Sequence, residues 1–195
     1  MAFDIPDKYI PLYSREQIAS RSRELGMEIT SWCRQLTQQT GADVIVMPIL
    51  RGGLFFASDL VRDIEESVDV VPIAVTSYDV AANTQSDQVI IELPPVSLGG
   101  RAVLLIDDVC DTGRTLVTLT KRLMGEGIKE LKSVVVVQRV LDHPLVYKPD
   151  WVGFSFRGTE WLVGYGLDDR DRFRNLAGIY TIAGTGAGTG AGTGS

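Results

Sequence analysis

Apolar residues recur at helical spacing along "SREQIASRSRELGMEITSWCRQLTQQTG", at Ile18, Leu25, Ile29, Trp32 and Leu36. That spacing collects them on one face of an amphipathic helix. Ser14, followed by Glu16 and Gln17, provides the start signal, and Gly41 provides the stop. Beyond Gly41 the period changes. "ADVIVMPIL" is a continuous apolar run that predicts a buried strand, and "GGLFFASDLVRDI" returns to a helical pattern. "VDVVPIAVTSY" predicts a second strand. "DVAANTQSDQVIIELP" is polar at first and apolar from Val89 to Leu93, which predicts a loop and a β-ribbon return. A third buried strand, "RAVLLIDDV", a helix, "TLVTLTKRLMGEG", and a fourth strand, "LKSVVVVQRV", follow in turn. "WVGFSF" and "WLVGYGL" predict two short strands near the end. Strands alternating with helices at this spacing predict an α/β fold around a mostly parallel sheet.

The third strand ends in an unusual concentration of charge, "VLLIDDVCDTGRTLVTL". Ligands of open α/β sheets bind beyond the carboxyl ends of the strands, and Asp107, Asp108 and Asp111 fall at such an end. "TGRT" follows at once, offering backbone N–H groups, two hydroxyls and a cation at a helix start, a seat for an anion. Carboxylates on one side and a phosphate cradle on the other suit a sugar phosphate. No Gly-x-x-x-x-Gly-Lys sequence is present, so a nucleoside triphosphatase loop is not supported.

Composition narrows the classes further. The chain has 195 residues, enough for one core, with a formal charge of -6 and a pI near 4.8. This balance argues against a nucleic-acid footprint, which needs clustered Lys and Arg. No apolar run approaches a membrane span, and the beginning, "MAFDIPDKYIPLYS", lacks the pattern of a signal peptide, so no membrane partner and a cytoplasmic location are expected. Cys33 and Cys110 have no paired spacing and read as reduced, structural residues. His143, the single histidine, lies in a turn context, leaving no Ser-His-Asp triad. The stretch 183–195, "AGTGAGTGAGTGS", cannot build a core and reads as a tail or linker after a domain spanning 1–182.

"VLLIDDVCDTGRTL" resembles the phosphoribosyl pyrophosphate (PRPP) signature of the type I phosphoribosyltransferases. "LRGGLFFASDL", "TSYDV", "YKPDWVGF" and "WLVGYGLDDRDRFRNLAGIY" are similar to the hypoxanthine-guanine branch, in its order and spacing, from about Tyr9 to Ile182. The resemblance implies that family's fold: a mostly parallel central sheet flanked by helices, with a small hood and a mobile loop. It also implies Mg2+-dependent transfer of phosphoribose from PRPP to a purine base with release of pyrophosphate, in a homodimer or homotetramer.

Roles follow by the same resemblance. Asp107 and Asp108 contact the ribose hydroxyls, directly or through Mg2+, and Asp111 is the acid/base group at the five-membered ring of the purine. Thr112, Gly113, Arg114 and Thr115 hold the sugar phosphate, and Arg51 and Gly52 form the pyrophosphate loop. Ser77 and Tyr78 belong to the mobile loop; Asp168 and Arg174 serve Mg2+ and pyrophosphate; Trp161 stacks on the base, whose edge the Leu162 backbone reads.

The chain departs from the family pattern at the base. Gln138 stands where the family has a lysine that donates to the 6-oxo group, with Arg139 beside it. A glutamine amide both donates and accepts, so it does not impose the same demand. "AVTSY" lacks the basic residues some relatives carry, and "SFRGTEWL" is one residue longer before the aromatic. A different heterocyclic acceptor is one alternative. A PRPP-sensing regulator is another, against which Asp111 and the acidic charge argue, because RNA-binding relatives carry an aromatic at the Asp111 position.

Overall fold

The computed structural model describes residues 5–78, 88–142 and 145–184. Helix α1 runs Arg15–Thr40. The Ser14 hydroxyl accepts from the Gln17 backbone N–H, and the Gln17 side chain accepts from the Ser14 N–H, so two otherwise unpaired donors are satisfied reciprocally. Gly41 ends the helix in the left-handed region at φ 67°, and its N–H donates to Thr37 O.

The central sheet has seven strands in the order β5-β4-β2-β6-β7-β8, with β3 also pairing β2. These are β2 (Val44–Leu50), β3 (Asp69–Val70), β4 (Ile73–Tyr78), β5 (Gln88–Glu92), β6 (Ala102–Cys110), β7 (Glu130–Arg139) and β8 (Trp151–Phe156). Every pairing is parallel except β4 with β5, which is the expected ribbon return. Helices α1 and α2 (Gly53–Asp63) cover one face and α3 (Arg114–Met124) the other. On β6, Leu104 and Ile106 pack among residues of α1 and α2, whereas Val103 and Leu105 pack with Leu116, Leu119 and Leu123 of α3. Burial on both faces explains why this strand reads as an unbroken apolar run.

Two expectations change. The strand predicted over "VDVVPIAVTSY" divides into β3 and β4, because Pro72 lies between them and has no N–H for the ladder. Both halves still pair with β2, at Ile45–Val46 and at Ile49–Leu50. "WLVGYGL" contracts to β9 (Leu162–Val163), since Gly164, Tyr165 and Gly166 all take positive φ and turn the chain away. The hood is a separate three-stranded antiparallel sheet, β1-β10-β9, in which β10 (Ile179–Ile182) pairs with β1 (Tyr9–Tyr13). No period in the sequence marks β1.

Cys33 and Cys110 are free and buried, and burial pushes both thiols up to about 11. His143 and residues 185–195 lie outside the described residues.

α1 and α2 meet at Gly26, where a Cβ would lie 2.5 Å from both Cβ and O of Asp63. Alanine has the better helix propensity by about 1 kcal/mol, but the clash is with backbone, and overpacking costs about 1–3 kcal/mol. Gly26→Ala is therefore expected to lower stability in urea denaturation, and a stabilised variant would disprove the close approach.

Candidate active site

The carboxyl end of β6 carries Asp107 and Asp108 into a cleft of about 460 Å³. Leu50, Arg51, Gly52, Val75, Thr112 to Leu116 and Arg174 complete much of its wall. Asp107 is 9% exposed. Its Oδ1 accepts from the Asp108 N–H at 3.0 Å, and Asp108 Oδ1 accepts from the Val109 N–H at 2.8 Å. Burial, and next the charge of Asp108, push the Asp107 carboxyl well above the ordinary carboxylate range. Burial raises Asp108 as well, opposed by hydrogen bonding and by the positive charge of Arg174.

Close packing holds three separate segments around this pair. A Cβ on Gly52 would lie 1.7 Å from Asp108 Oδ2, so the turn after β2 reaches the carboxylate only because residue 52 has no side chain. Gly166, at φ 101°, is pressed in the same way against Gly52 O, at 2.3 Å from its would-be Cβ. Gly166 O in turn accepts from Arg174 Nη1 at 2.6 Å, while Arg174 Nη2 meets Asp168 Oδ1 at 2.5 Å. The Leu50–Arg51 peptide bond is cis, and the Arg51 guanidinium pairs with Asp171. Segments far apart in sequence thus form one wall, with Asp168 outside the cleft lining and tied to it through Arg174.

The phosphate-type loop sits at the start of α3. Gly113 caps the helix at φ 83°, with the Thr115 residue one turn position inside. The loop is braced by a segment that sequence reasoning gave no role. The Val146 N–H donates to Thr112 O at 3.0 Å, and a Cβ on Gly113 would lie 2.6 Å from Tyr147 O. The Tyr147 hydroxyl lies 3.1 Å from Ser133 Oγ, and Asp150 accepts from the Ser133 N–H at 2.9 Å. Tyr147 and Asp150 of "YKPD" therefore anchor this loop to β7.

Asp111, on the same loop, is paired. Arg139 Nε donates to Asp111 Oδ1 at 2.6 Å, an arrangement that the sequence reading did not foresee. Gln138 lies next to Cys110 in the β6–β7 register, and its side chain makes no hydrogen bond among the described residues. Trp161 is 45% exposed, and its Nε1 donates to Asp168 O at 2.5 Å. Leu162 is buried in β9 opposite Thr181. Ser77 and Tyr78 occupy the end of β4 by their backbone, and residues 79–87 of the expected mobile loop lie outside the described residues.

Among the described residues no cluster of three or more His, Cys, Asp or Glu is arranged as a ready-made metal cage. The hard carboxylate oxygens of Asp107 and Asp108 nevertheless fit a Mg2+ ion, which is commonly held by one or two carboxylates with substrate phosphates completing the shell. Their mutual repulsion fits it also.

The chain matches the phosphoribosyl transferase domain family over residues 15–170. It is 32% identical over 173 residues to the hypoxanthine-guanine phosphoribosyltransferase of Mycobacterium tuberculosis, covering 88% of this chain and 84% of that protein. The protein of the same name from Lactococcus lactis is 31% identical over 165 residues, with 85% and 86% covered. A hypoxanthine phosphoribosyltransferase structure from Staphylococcus aureus superposes with a TM-score of 0.78 at 28% identity, covering 88% of this chain and 90% of that one.

A group whose folded pKa is raised stabilises the fold while protonated, and loses that contribution as pH rises through the folded value. Asp107 is in this position, so its carboxyl costs stability at neutral pH. Asp107→Asn keeps an oxygen for the Asp108 N–H and removes the charge. We expect it to raise the Tm of the ligand-free protein at neutral pH by at least about 2 °C, with the gain shrinking toward pH 4. An unchanged or lower Tm at neutral pH would contradict the electrostatic picture.

Proposed function

The chain belongs to the phosphoribosyltransferase family, and we propose that it transfers phosphoribose from PRPP to hypoxanthine or guanine, releasing pyrophosphate. It is an enzyme of purine phosphoribosyl transfer, of the kind that operates in purine salvage. The observation that carries the reading is the meeting of Asp107, Asp108, the Gly52 turn, the Thr112–Thr115 loop and Arg174 in one cleft.

The reaction breaks the bond from C1 of the ribose to pyrophosphate and forms one to a purine nitrogen, through a sugar with cationic character. Buried anions beside such a centre stabilise the developing positive charge more than they would in water. Asp107 and Asp108 accept from the ribose hydroxyls in this scheme. The backbone amides at the start of α3, with the Thr112 and Thr115 hydroxyls and Arg114, hold the sugar phosphate, where the helix dipole favours an anion. Arg114 brings a forked guanidinium where a lysine brings a point charge. Arg51, Gly52 and Arg174 receive pyrophosphate. Asp107, Asp108 or Asp168 would hold Mg2+ together with the phosphates, where the ion would supply charge neutralisation for the leaving group. Asp111 exchanges the proton of the five-membered ring, and Trp161 and the Leu162 backbone orient the base. By family likeness Ser77 and Tyr78 belong to the loop that excludes water from the reacting centre.

Gln138 weakens the demand for a 6-oxo group, so an acceptor outside hypoxanthine and guanine is the second reading. Family likeness supports a homodimer or homotetramer acting in the cytoplasm. No helix among the described residues is long and apolar enough to cross a membrane.

Pyrophosphate release from PRPP and Mg2+ with each of hypoxanthine, guanine, xanthine and adenine tests the assignment. Turnover with hypoxanthine or guanine is expected, and Asp111→Ala should lower kcat by about 10²–10⁴-fold. PRPP binding without turnover of any purine would overturn the assignment. Gln138→Lys, which supplies an obligatory donor, is expected to raise the preference for hypoxanthine over adenine by about tenfold or more, since one hydrogen bond to a charged group contributes about 1.5–3 kcal/mol. An unaltered ratio would remove Gln138 from base selection.

A further inference from the structure

Arg139 is a nearly buried cation, its side chain 9% exposed, whose contacts run in two directions. Nε donates to Asp111 Oδ1 at 2.6 Å. Nη1 donates to the backbone oxygens of Gly158 at 2.7 Å and Glu160 at 3.1 Å, in the turn that leads directly into Trp161. The Phe156 ring lies 5.4 Å from the guanidinium carbon and covers it. Asp111 itself is 54% exposed on its side chain, and Arg139 is its ion-pair partner among the described residues. An exposed carboxylate on a turn has several rotamers available, so its placement depends on this contact.

The turn is shaped to serve it. A Cβ on Gly158 would lie 2.3 Å from Glu160 Oε2 and 2.6 Å from the Phe156 ring. Glu160 Oε2 is buried with no hydrogen-bond partner. The acidic side chain nearest the turn therefore does not take the Arg139 charge, which remains with Asp111.

We propose that Arg139 is a positioning residue that joins the Asp111 carboxylate to the base-side turn at residues 158–160, setting the acid/base group and Trp161 as one unit. The role rests on the phosphoribosyl-transfer reading. Proton exchange requires donor and acceptor within about 2.6–3.2 Å, and misplacement by about 1 Å costs on the order of 10²-fold in rate. Only a guanidinium can reach the carboxylate through one nitrogen and the carbonyls through another; a lysine ammonium has a single nitrogen to offer.

The test is a double-mutant cycle of wild type, Arg139→Lys, Asp111→Asn and the double variant, with kcat and both KM values measured, and Tm as a check on folding. Arg139→Lys is expected to lower kcat by about 10–100-fold and to leave the PRPP KM within about threefold, because the PRPP cleft is built from other residues. In the Asp111→Asn background the same substitution should cost markedly less in kcat, the remainder reporting the turn before Trp161. Arg139→Gln, which removes the buried charge but keeps a donor, repeats the cycle should the lysine variant fold poorly. Equal losses in both backgrounds would overturn the proposal and leave Arg139 a brace for the turn alone. Full activity of Arg139→Lys would overturn it too. A wild type that binds PRPP but turns over no purine would sink the functional reading itself and the positioning role with it.

Discussion

Two adjacent carboxylates, Asp107, which is buried, and Asp108, which is partly buried, stand at the end of the central strand with no ion pair between either of them and a cation among the described residues. Much of the structure around the cleft follows from keeping them there. β6 carries them, flanked by β2 and β7 and covered by helices on both faces, so the strand cannot withdraw without opening the core. Isolated buried charge is costly, and such a group responds by raising its pKa. Asp107 does so. The fold thus holds a site that is electrostatically incomplete without ligand, which is what a cationic sugar and a metal–phosphate complex would complete.

The walls of that site are defined as much by missing atoms as by present ones. Gly52 allows a backbone turn to lie against Asp108, and Gly166 allows a second turn to lie against Gly52. A side chain at either position would push the pyrophosphate-type loop away from the carboxylates. Gly113 adds a conformational need, at φ 83°, to a steric one against Tyr147. The start of α3 and the carboxylates therefore line one cleft, so under the proposed reaction a substrate carrying both hydroxyls and phosphate would meet two fixed points.

Much of this was legible in the sequence, for specific reasons. The strands of the parallel sheet are buried on both faces and declare themselves as apolar runs, and α1 declares itself by period, cap and terminating glycine. β1 and β10 were silent because each is short and lies in a small sheet whose burial mixes exposed and buried positions. Pro72 was visible, but its effect depended on both flanking segments pairing with one neighbour. The role of "YKPD" could not be read, since Tyr147 and Asp150 act through contacts with Gly113 and Ser133 that only the folded chain brings together. Arg139 was noticed only as the neighbour of Gln138, because a lone arginine at a strand end carries no signal of its partner.

The three acids of "DDVCD" are therefore held in opposite electrostatic states. Asp107 and Asp108 are desolvated and make no salt bridge among the described residues, whereas Asp111, three residues further, is half exposed and paired with Arg139. The difference suits the role proposed for each. Groups proposed to meet a developing cation would act best when no salt bridge has already neutralised them. A group proposed to exchange a proton at a fixed distance would need orientation before an uncompensated charge, and a guanidinium fork supplies orientation. Strand register makes the division possible: Cys110 and Gln138 are partners, so Asp111, just past the end of β6, lies beside Arg139, the last residue of β7. The same parallel ladder that buries one pair of aspartates thus delivers a cation to the third.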